Sequence, residues 1–404
     1  MSKITVVDAI MGSGKTSWAV QHMNEAPASK KFIYITPFND EVTRIKESVT
    51  GRTFRSTHNE DYAGKKMHVL KSWIADGGDI VSTHALFQKA DDELIDLLTD
   101  AGYTLILDEV MDVIDVANIS QQDIKILLDA KKIGVNEDRR VVWVSDEYVD
   151  GRFYDIKLFA KAGTLFYHRG KFLIWTFPPR IFAAFDEVIN LTYLFEAQIQ
   201  RYYYDLHGLE YTVKSVRKSG DNYELADYDP SVEGRTEIFK LIDLYEGPLN
   251  DVAKQKNALS STWLDNAKPE QMKTLANNTY NFLYNRCGAK GFDALWTTKK
   301  DKKTRRPKIR VRSYADSFLH LNARATNDYA DRWALAYVYN RYAHPFERVF
   351  FEDRGISVNQ DLLAVSDLLQ WVWRSRIRKG QPIKLYLPSS RMRSLLKAWA
   401  NYEI

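Results

Sequence analysis

The sequence predicts an α/β fold, and three observations predict it. Short apolar runs alternate with helical-period segments through the first half of the chain. One of those runs leads directly into GSGKT at residues 12–16, and the alternation returns towards the C-terminus. Alternation of this kind belongs to parallel sheets whose faces are covered by helices.

In chain order, ITVVDA from Ile4, FIYIT from Phe32, DIVST from Asp79, TLILDE from Thr104 and VVWVS from Val141 read as short buried strands. KFLIWTF from Lys171 and DEVINLTY from Asp186 continue the series, and LFEAQIQRYYYDL reads as an amphipathic helix closed by His207-Gly208. Near Leu209 the texture changes. EYTVKSV and NYELADY form a strand pair joined by a Lys-Ser-Gly-Asp turn. Helical sequence fills roughly 250–286, the charge run TTKKDKKTRRPKIRVR starts at Thr297, and SFLHL reads as a short strand. A last strand, IKLYLPS, precedes a closing helix around MRSLLKAWA. The expected domains are 1–205 and 206–404.

Composition narrows the class. A chain of 404 residues can bury two or three separate cores. Apolar residues at 45% and charged residues at 27% are those of a soluble globular protein. A net charge of +4 is not that of a polycation, so affinity for nucleic acid must come from local patches. The single cysteine, Cys287, excludes a disulfide framework and a cysteine zinc cluster, and reads as a half-buried thiol. MSKITVVDAI runs straight into the first strand, leaving no room for a signal peptide. The most apolar later stretch is broken by Pro178, Pro179 and Arg180 and is too short for a bilayer. The expected location is the cytoplasm, that of the host for a phage-encoded protein, with no membrane partner.

Ala9–Thr16 fits the phosphate-binding loop pattern, with alanine in place of the first glycine. Gly12, Ser13 and Gly14 let the backbone curl so that several N–H groups meet one phosphate, and a helix opening at Lys15 adds its positive end. Lys15 is the cation for the β and γ phosphates, and the Thr16 hydroxyl is a Mg²⁺ ligand. LILDEVMD supplies the acidic half: Asp108 for Mg²⁺, Glu109 to orient and deprotonate the attacking water. A kinase has no need of a water-activating glutamate beside the metal carboxylate, so the pair points to ATP hydrolysis. Asp112 and Asp115 read as surface acids. The eight histidines show no metal-ligand spacing, and no metal beyond Mg²⁺ is expected.

Together with the DE box, the segments ITPFNDEVTRI, DIVSTHALF and QWVWRSRIR resemble superfamily 2 DExx-box helicases. The nearest likeness is to small phage-encoded helicases related to the herpesvirus origin-binding protein, shared also by LTYLFE, NARATNDYADR and QWVWRSRIRKG. The resemblance implies two RecA-like P-loop domains in tandem, with a small β and basic insertion in the second half. It further implies an ATP- and Mg²⁺-dependent DNA helicase or translocase serving phage replication, recombination or origin opening. The partners would be single-stranded or forked DNA, held by its backbone, and replication proteins.

On this view Thr36 and Pro37, with an exposed hydroxyl at one strand end, and Thr83 and His84 at another would hold DNA phosphates. The bland alternative is a pair of strand-terminating caps. Arg324, Thr326 and Asn327 would link DNA to the nucleotide, or Thr326 and Asn327 would simply cap a helix. Gln370, Arg374 and Arg378 lie at i, i+4 and i+8 beside a core face of Leu362, Val365, Leu369 and Val372, on a helix ended by Gly380 and Pro382. Arginines there suit a charge-neutralising role on the γ-phosphate. The superfamily's second arginine position holds Ile377, which leaves the second finger open between readings; a solvated or DNA-binding face is the alternative. The charge run reads as a loop or β-ribbon facing nucleic acid, or as a solvated loop. Rival readings are a DNA-stimulated ATPase switch or origin-binding module without unwinding, a packaging motor, and a P-loop kinase.

Overall fold

The computed structural model describes residues 3–57, 66–88, 90–145, 147–148, 151–321 and 328–404. Two compact units emerge. The first holds 1–8, 14–228 and 344–358; the second holds 229–343 and 359–404, together with the short segment Ala9–Ser13.

In the first unit the strands are β1 (Lys3–Asp8), β2 (Lys31–Thr36), β3 (Phe54–Arg55), β4 (Asp79–Thr83), β5 (Tyr103–Asp108), β6 (Ile114–Val116), β7 (Ile133–Val135), β8 (Val141–Trp143), β9 (Leu165–His168), β10 (Phe172–Thr176), β11 (Glu187–Thr192), β12 (Tyr211–Ser219) and β13 (Asn222–Asp227). The main sheet has the order β13-β12-β1-β11-β5-β2-β4-β3 and is parallel except for β13. Val6, Val7, Phe32, Ile33, Ile80, Val81, Leu105, Ile106 and Val188 are buried in it, which explains their unbroken apolar runs. Helices Lys15–Glu25, Asn39–Ser48, Lys66–Ala75 and Asp92–Ala101 connect its strands.

Two predicted strands lie elsewhere. VVW at β8 pairs antiparallel with β7 in a two-stranded sheet, and KFLIWTF becomes β10 in the antiparallel sheet β6-β10-β9. β8 alternates in exposure, with Val142 out between buried Val141 and Trp143, as a half-covered antiparallel strand does, whereas β10 is buried from Leu173 to Thr176. The hairpin β12-β13 extends the first sheet beside β1, so this unit runs on to Tyr228.

The second unit adds β14 (Ile242–Leu244), β15 (Ala294–Thr298), β16 (Ala334–Val338) and β17 (Ile383–Tyr386), ordered β14-β17-β16-β15 and parallel throughout. Both units are therefore parallel-sheet α/β folds, the tandem RecA-like class. SFLHL forms no strand; Phe318 makes a single bridge to Trp296. Among the described residues no helix is long and apolar enough to cross a membrane.

Candidate nucleotide-binding site

The register of the first sheet assembles the site. Asp8 pairs with Thr192, Leu191 with Asp108, Leu107 with Ile35, and Thr36 with Thr83. All these strand ends open on the carboxyl edge of the sheet, where α/β folds bind ligands. β5 lies two strands from β1, about 10 Å at the usual strand spacing.

The loop after β1 has the conformation its glycines allow. Gly12 and Gly14 sit at φ +86° and +100°, and the Ser13 N–H donates to the Ile10 carbonyl at 3.2 Å. The helix Lys15–Glu25 starts at Gly14 with no acidic residue in its first turn. An N-terminus of this kind, free of carboxylates, suits a polyanion. Gly14 is also required for room, because a Cβ there would overlap the Tyr223 ring from the added hairpin. The Tyr223 N–H donates to Gln21 Oε1 on the same helix at 2.9 Å.

Asp108 ends β5, and Tyr34 Oη donates to its Oδ2 at 2.7 Å. Burial pushes the Asp108 carboxyl up to about 6, against the lowering effect of the Tyr34 hydroxyl, and the Glu109 charge raises it further. Such a carboxylate ionises readily once a cation arrives, which fits a Mg²⁺ ligand at the end of a strand two places from the one that leads to Thr16. Glu109 itself holds φ +75°, a left-handed backbone fixed by its N–H donating to the Leu191 carbonyl at 2.9 Å. Non-glycine residues in this region carry strain of about 1–3 kcal/mol and cluster at functional sites. Asp112 and Asp115 are exposed.

Sequence reasoning missed the residues that hold this edge together. Asp8 is 2% exposed and accepts the Leu194 and Phe195 N–H groups, each at 2.8 Å. Fully buried Gln200 accepts the Met111 N–H at 2.8 Å and donates to Tyr204 Oη at 2.8 Å. The segment after LTY thus grips both the P-loop strand and the chain leaving the DE box. The aspartate immediately before the loop was the only signal available in the sequence.

The other expected positions fare differently. Thr36 is 0% exposed, so its hydroxyl is not at the surface; the strand end exposes Phe38 and Asn39 instead. A last strand residue flanked by β4 and β5 turns its side chain into the unit. Pro37 and Thr83 are half-buried and His84 is buried. Arg324, Thr326 and Asn327 lie outside the described residues.

The arginine stripe is not one helix face. The helix runs only from Gln360 to Val372, because Ser375 ends it: its hydroxyl donates to the Val372 carbonyl at 2.7 Å and accepts from the Ile377 N–H. Gln370 remains on that helix, half-buried Arg374 follows it, and exposed Arg378 sits on a separate 3₁₀ turn, Arg376–Lys379, closed by Gly380. The core positions Leu362, Val365, Leu369 and Val372 are buried as expected. Cys287 is half-buried, and burial pushes its thiol up to about 11.

With the geometry in place, comparison with known proteins is informative about family. The chain is 41% identical over 411 residues, 99% of each chain, to the SPbeta prophage-derived protein YonV of Bacillus subtilis (strain 168). It belongs to the YonV family. The descriptions "YonV middle domain" and "YonV C-terminal Rossmann-like domain" match residues 114–175 and 236–400. The first coincides with the antiparallel sheet β6-β10-β9 and its surroundings, the second with most of the parallel second unit. Among solved structures, S. tokodaii Xpd4 is similar at TM-score 0.46 and 13% identity, over 100% of this chain and 94% of that one. The DUF1998 helicase MrfA bound to DNA and AMPPNP gives 0.37 and 9%, over 100% and 48%. At those values neither likeness bears on activity.

Proposed function

We propose that this YonV-family chain hydrolyses ATP and spends the turnover on moving along or unwinding nucleic acid, as a helicase or translocase of the superfamily 2 type. The observation that carries the reading is the shared carboxyl edge, with the P-loop strand, the LTY strand and the DE strand side by side. The nearer likeness to phage helicases related to the herpesvirus origin-binding protein is part of the same proposal, as are replication, recombination or origin opening as its setting.

Bound Mg²⁺ATP would supply the phosphoanhydride and the charge that polarises it. Backbone N–H groups of Gly12–Lys15 cradle the phosphates, Lys15 neutralises them, and Thr16 and Asp108 hold the cation. Glu109 orients the attacking water and takes its proton. Arg374, with Arg378 or Gln370, offsets charge on the transferring group. Phosphate contacts near Pro37 and Thr83, and on Arg324, Thr326 and Asn327, follow the strand without reading bases. A packaging motor finds less support, since Asp353, Asp361 and Asp367 are each engaged by an arginine: Arg169, Arg391 and Arg341.

The test pairs ATP turnover, with and without single-stranded DNA, with strand displacement on a forked duplex. Stimulation by DNA together with displacement is expected. Turnover indifferent to DNA would leave a kinase or housekeeping ATPase, and stimulation without displacement a switch. Lys15→Ala and Glu109→Gln should each lower turnover by about a hundredfold or more, the second while still binding ATP.

A further inference from the structure

The second unit carries an exposed surface that the nucleotide site does not use. The helix Pro269–Tyr280 runs into a π-helical turn, Asn281–Arg286. Turns of that type are uncommon and often mark functional positions. Here Tyr284 is brought out to 55% exposure, its ring stacked on Tyr280 at 5.2 Å and 15°. Phe292 stands 65% exposed close by in the chain, with the Lys290 ammonium 5.8 Å from its ring centre. Beside Tyr284 opens a hollow of about 540 Å³, lined by Tyr284, Asn285, Gly288, Lys290, Ser313 and Tyr314, with Gly291, the residue before Phe292, also in its wall. Its floor is fixed: Tyr314 Oη donates to the Ala289 carbonyl at 2.5 Å, and Trp296 Nε1 donates to the Tyr314 carbonyl at 2.6 Å.

Ser313 and Tyr314 also follow directly on the charge run, which ends at Arg312. That run is held in shape, not loose. Lys299 and Lys308 both engage Asp265, Lys308 also reaches Asp301 at 2.9 Å, and Lys300 and Pro307 form an antiparallel bridge. Asp301 accepts the Lys303 and Thr304 N–H groups at 3.0 and 2.9 Å. These contacts consume two cations. Lys302, Lys303, Arg305, Arg306, Arg310 and Arg312 are exposed, and among the described residues none of them forms an ion pair. Ile309 and Val311 are buried, so Arg310 and Arg312 both face outward, and Arg312 adjoins the hollow through Ser313.

Cations leading to exposed aromatic rings match one chemistry: a polyanion whose flat groups are free to stack. In a duplex the bases are already stacked on each other, so the rings select an unpaired strand. We propose that Tyr284, Phe292 and the cationic loop Lys302–Arg312 form a platform for single-stranded nucleic acid, with bases on the rings and phosphates along the loop. This deepens the nucleic-acid part of the function above and rests on it.

The test is fluorescence anisotropy of the full chain with a labelled oligothymidylate of about 12 nucleotides, within the site size of such grooves, and with a duplex of equal length. Tighter binding of the single strand is expected. Y284A/F292A should weaken it by roughly tenfold or more with the salt dependence unchanged. Y284F/F292Y should bind as the natural chain does, which separates stacking from a general loss of fold. Changing Arg305, Arg306, Arg310 and Arg312 to Gln should flatten the salt dependence by about 0.7 for each phosphate no longer neutralised. Lys15→Ala should leave the strand affinity in place. Y284A/F292A binding as tightly as the natural chain would overturn the platform while leaving the helicase reading standing; equal affinity for duplex and single strand would do the same. Absence of binding to either nucleic acid by the natural chain would remove both.

Discussion

The carboxyl edges of the two sheets treat buried polar groups in opposite ways. In the first unit Thr36, Ser82, Asn190 and Thr192 are buried, yet their side-chain polar atoms have no hydrogen-bond partner among the described residues. In the second, β16 leads into Asn340, whose amide donates to the Lys256 and Ala258 carbonyls at 2.8 and 3.0 Å and accepts from Arg391. Arg391 also engages Asp361 and the Arg341 and Gln360 carbonyls, with its guanidinium 4.2 Å from the Tyr342 ring centre. Thr297, Thr298 and the Asn250 side-chain oxygen are exceptions there, as the partnered Asp8, Asp108 and Gln200 are in the first unit. An unpaired buried hydroxyl or amide costs roughly 1–3 kcal/mol. The first edge tolerates that cost beside its phosphate loop, whereas the second uses its polar groups as struts. On the proposed function, one edge is arranged to receive a ligand and the other to keep its own shape.

The strongest way to break this contrast is Arg391→Leu. It should destabilise the second unit by about 3 kcal/mol, because Asn340 and two carbonyls lose their donor. Urea denaturation followed by tryptophan fluorescence checks this, and an unchanged midpoint would mean the struts carry no load. Asp8→Asn should cost less, about 2 kcal/mol, since the amide retains one acceptor for the two N–H groups that Asp8 satisfies; the same measurement reads it. A third effect appears only in acid. Burial, with Arg140 and Arg354 nearby, lowers His207 from 6.5 to about 4, and burial lowers His22 and His168 in the same direction. The unfolded chain takes up these protons near pH 6.5 and the folded chain only lower, so stability is lost as pH falls through that window. All three histidines belong to the first unit, which should loosen before the second. His207→Phe should flatten the decline in thermal scans between pH 6.5 and 4.

What the sequence made legible were features with local causes. Largely apolar runs located β1, β2, β4, β5 and β11, because strands buried on both faces need no alternation; β17 was legible from IKLYLPS although Lys384 is exposed within it. GSGKT announced its own turn. VVW was misplaced in the main sheet because three residues cannot distinguish a buried strand from one of an antiparallel pair. The helix end at Ser375 was hidden behind a stronger stop signal at Gly380, and the arginine stripe dissolved with it. Asp8 and Gln200 were illegible for another reason. Their partners lie 186 and 89 residues away, and only the register of the sheet brings them together. Tyr223 reaches Gly14 by the same long-range route.

The sheet order also sets a timetable. Among the described strands β1 is hydrogen-bonded only to β11 and β12, and β11 is the strand wedged between it and β5. While the chain emerges from a ribosome, β2, β4 and β5 can pair among themselves, but the strand carrying the phosphate loop has no neighbour until residue 192 is out. At about 5–20 residues per second that is a wait on the order of ten seconds or more. Residues 344–358, which belong to the same unit, arrive later still. The loop that follows β1 comes early in this chain, yet it is among the last parts of the first unit that can form.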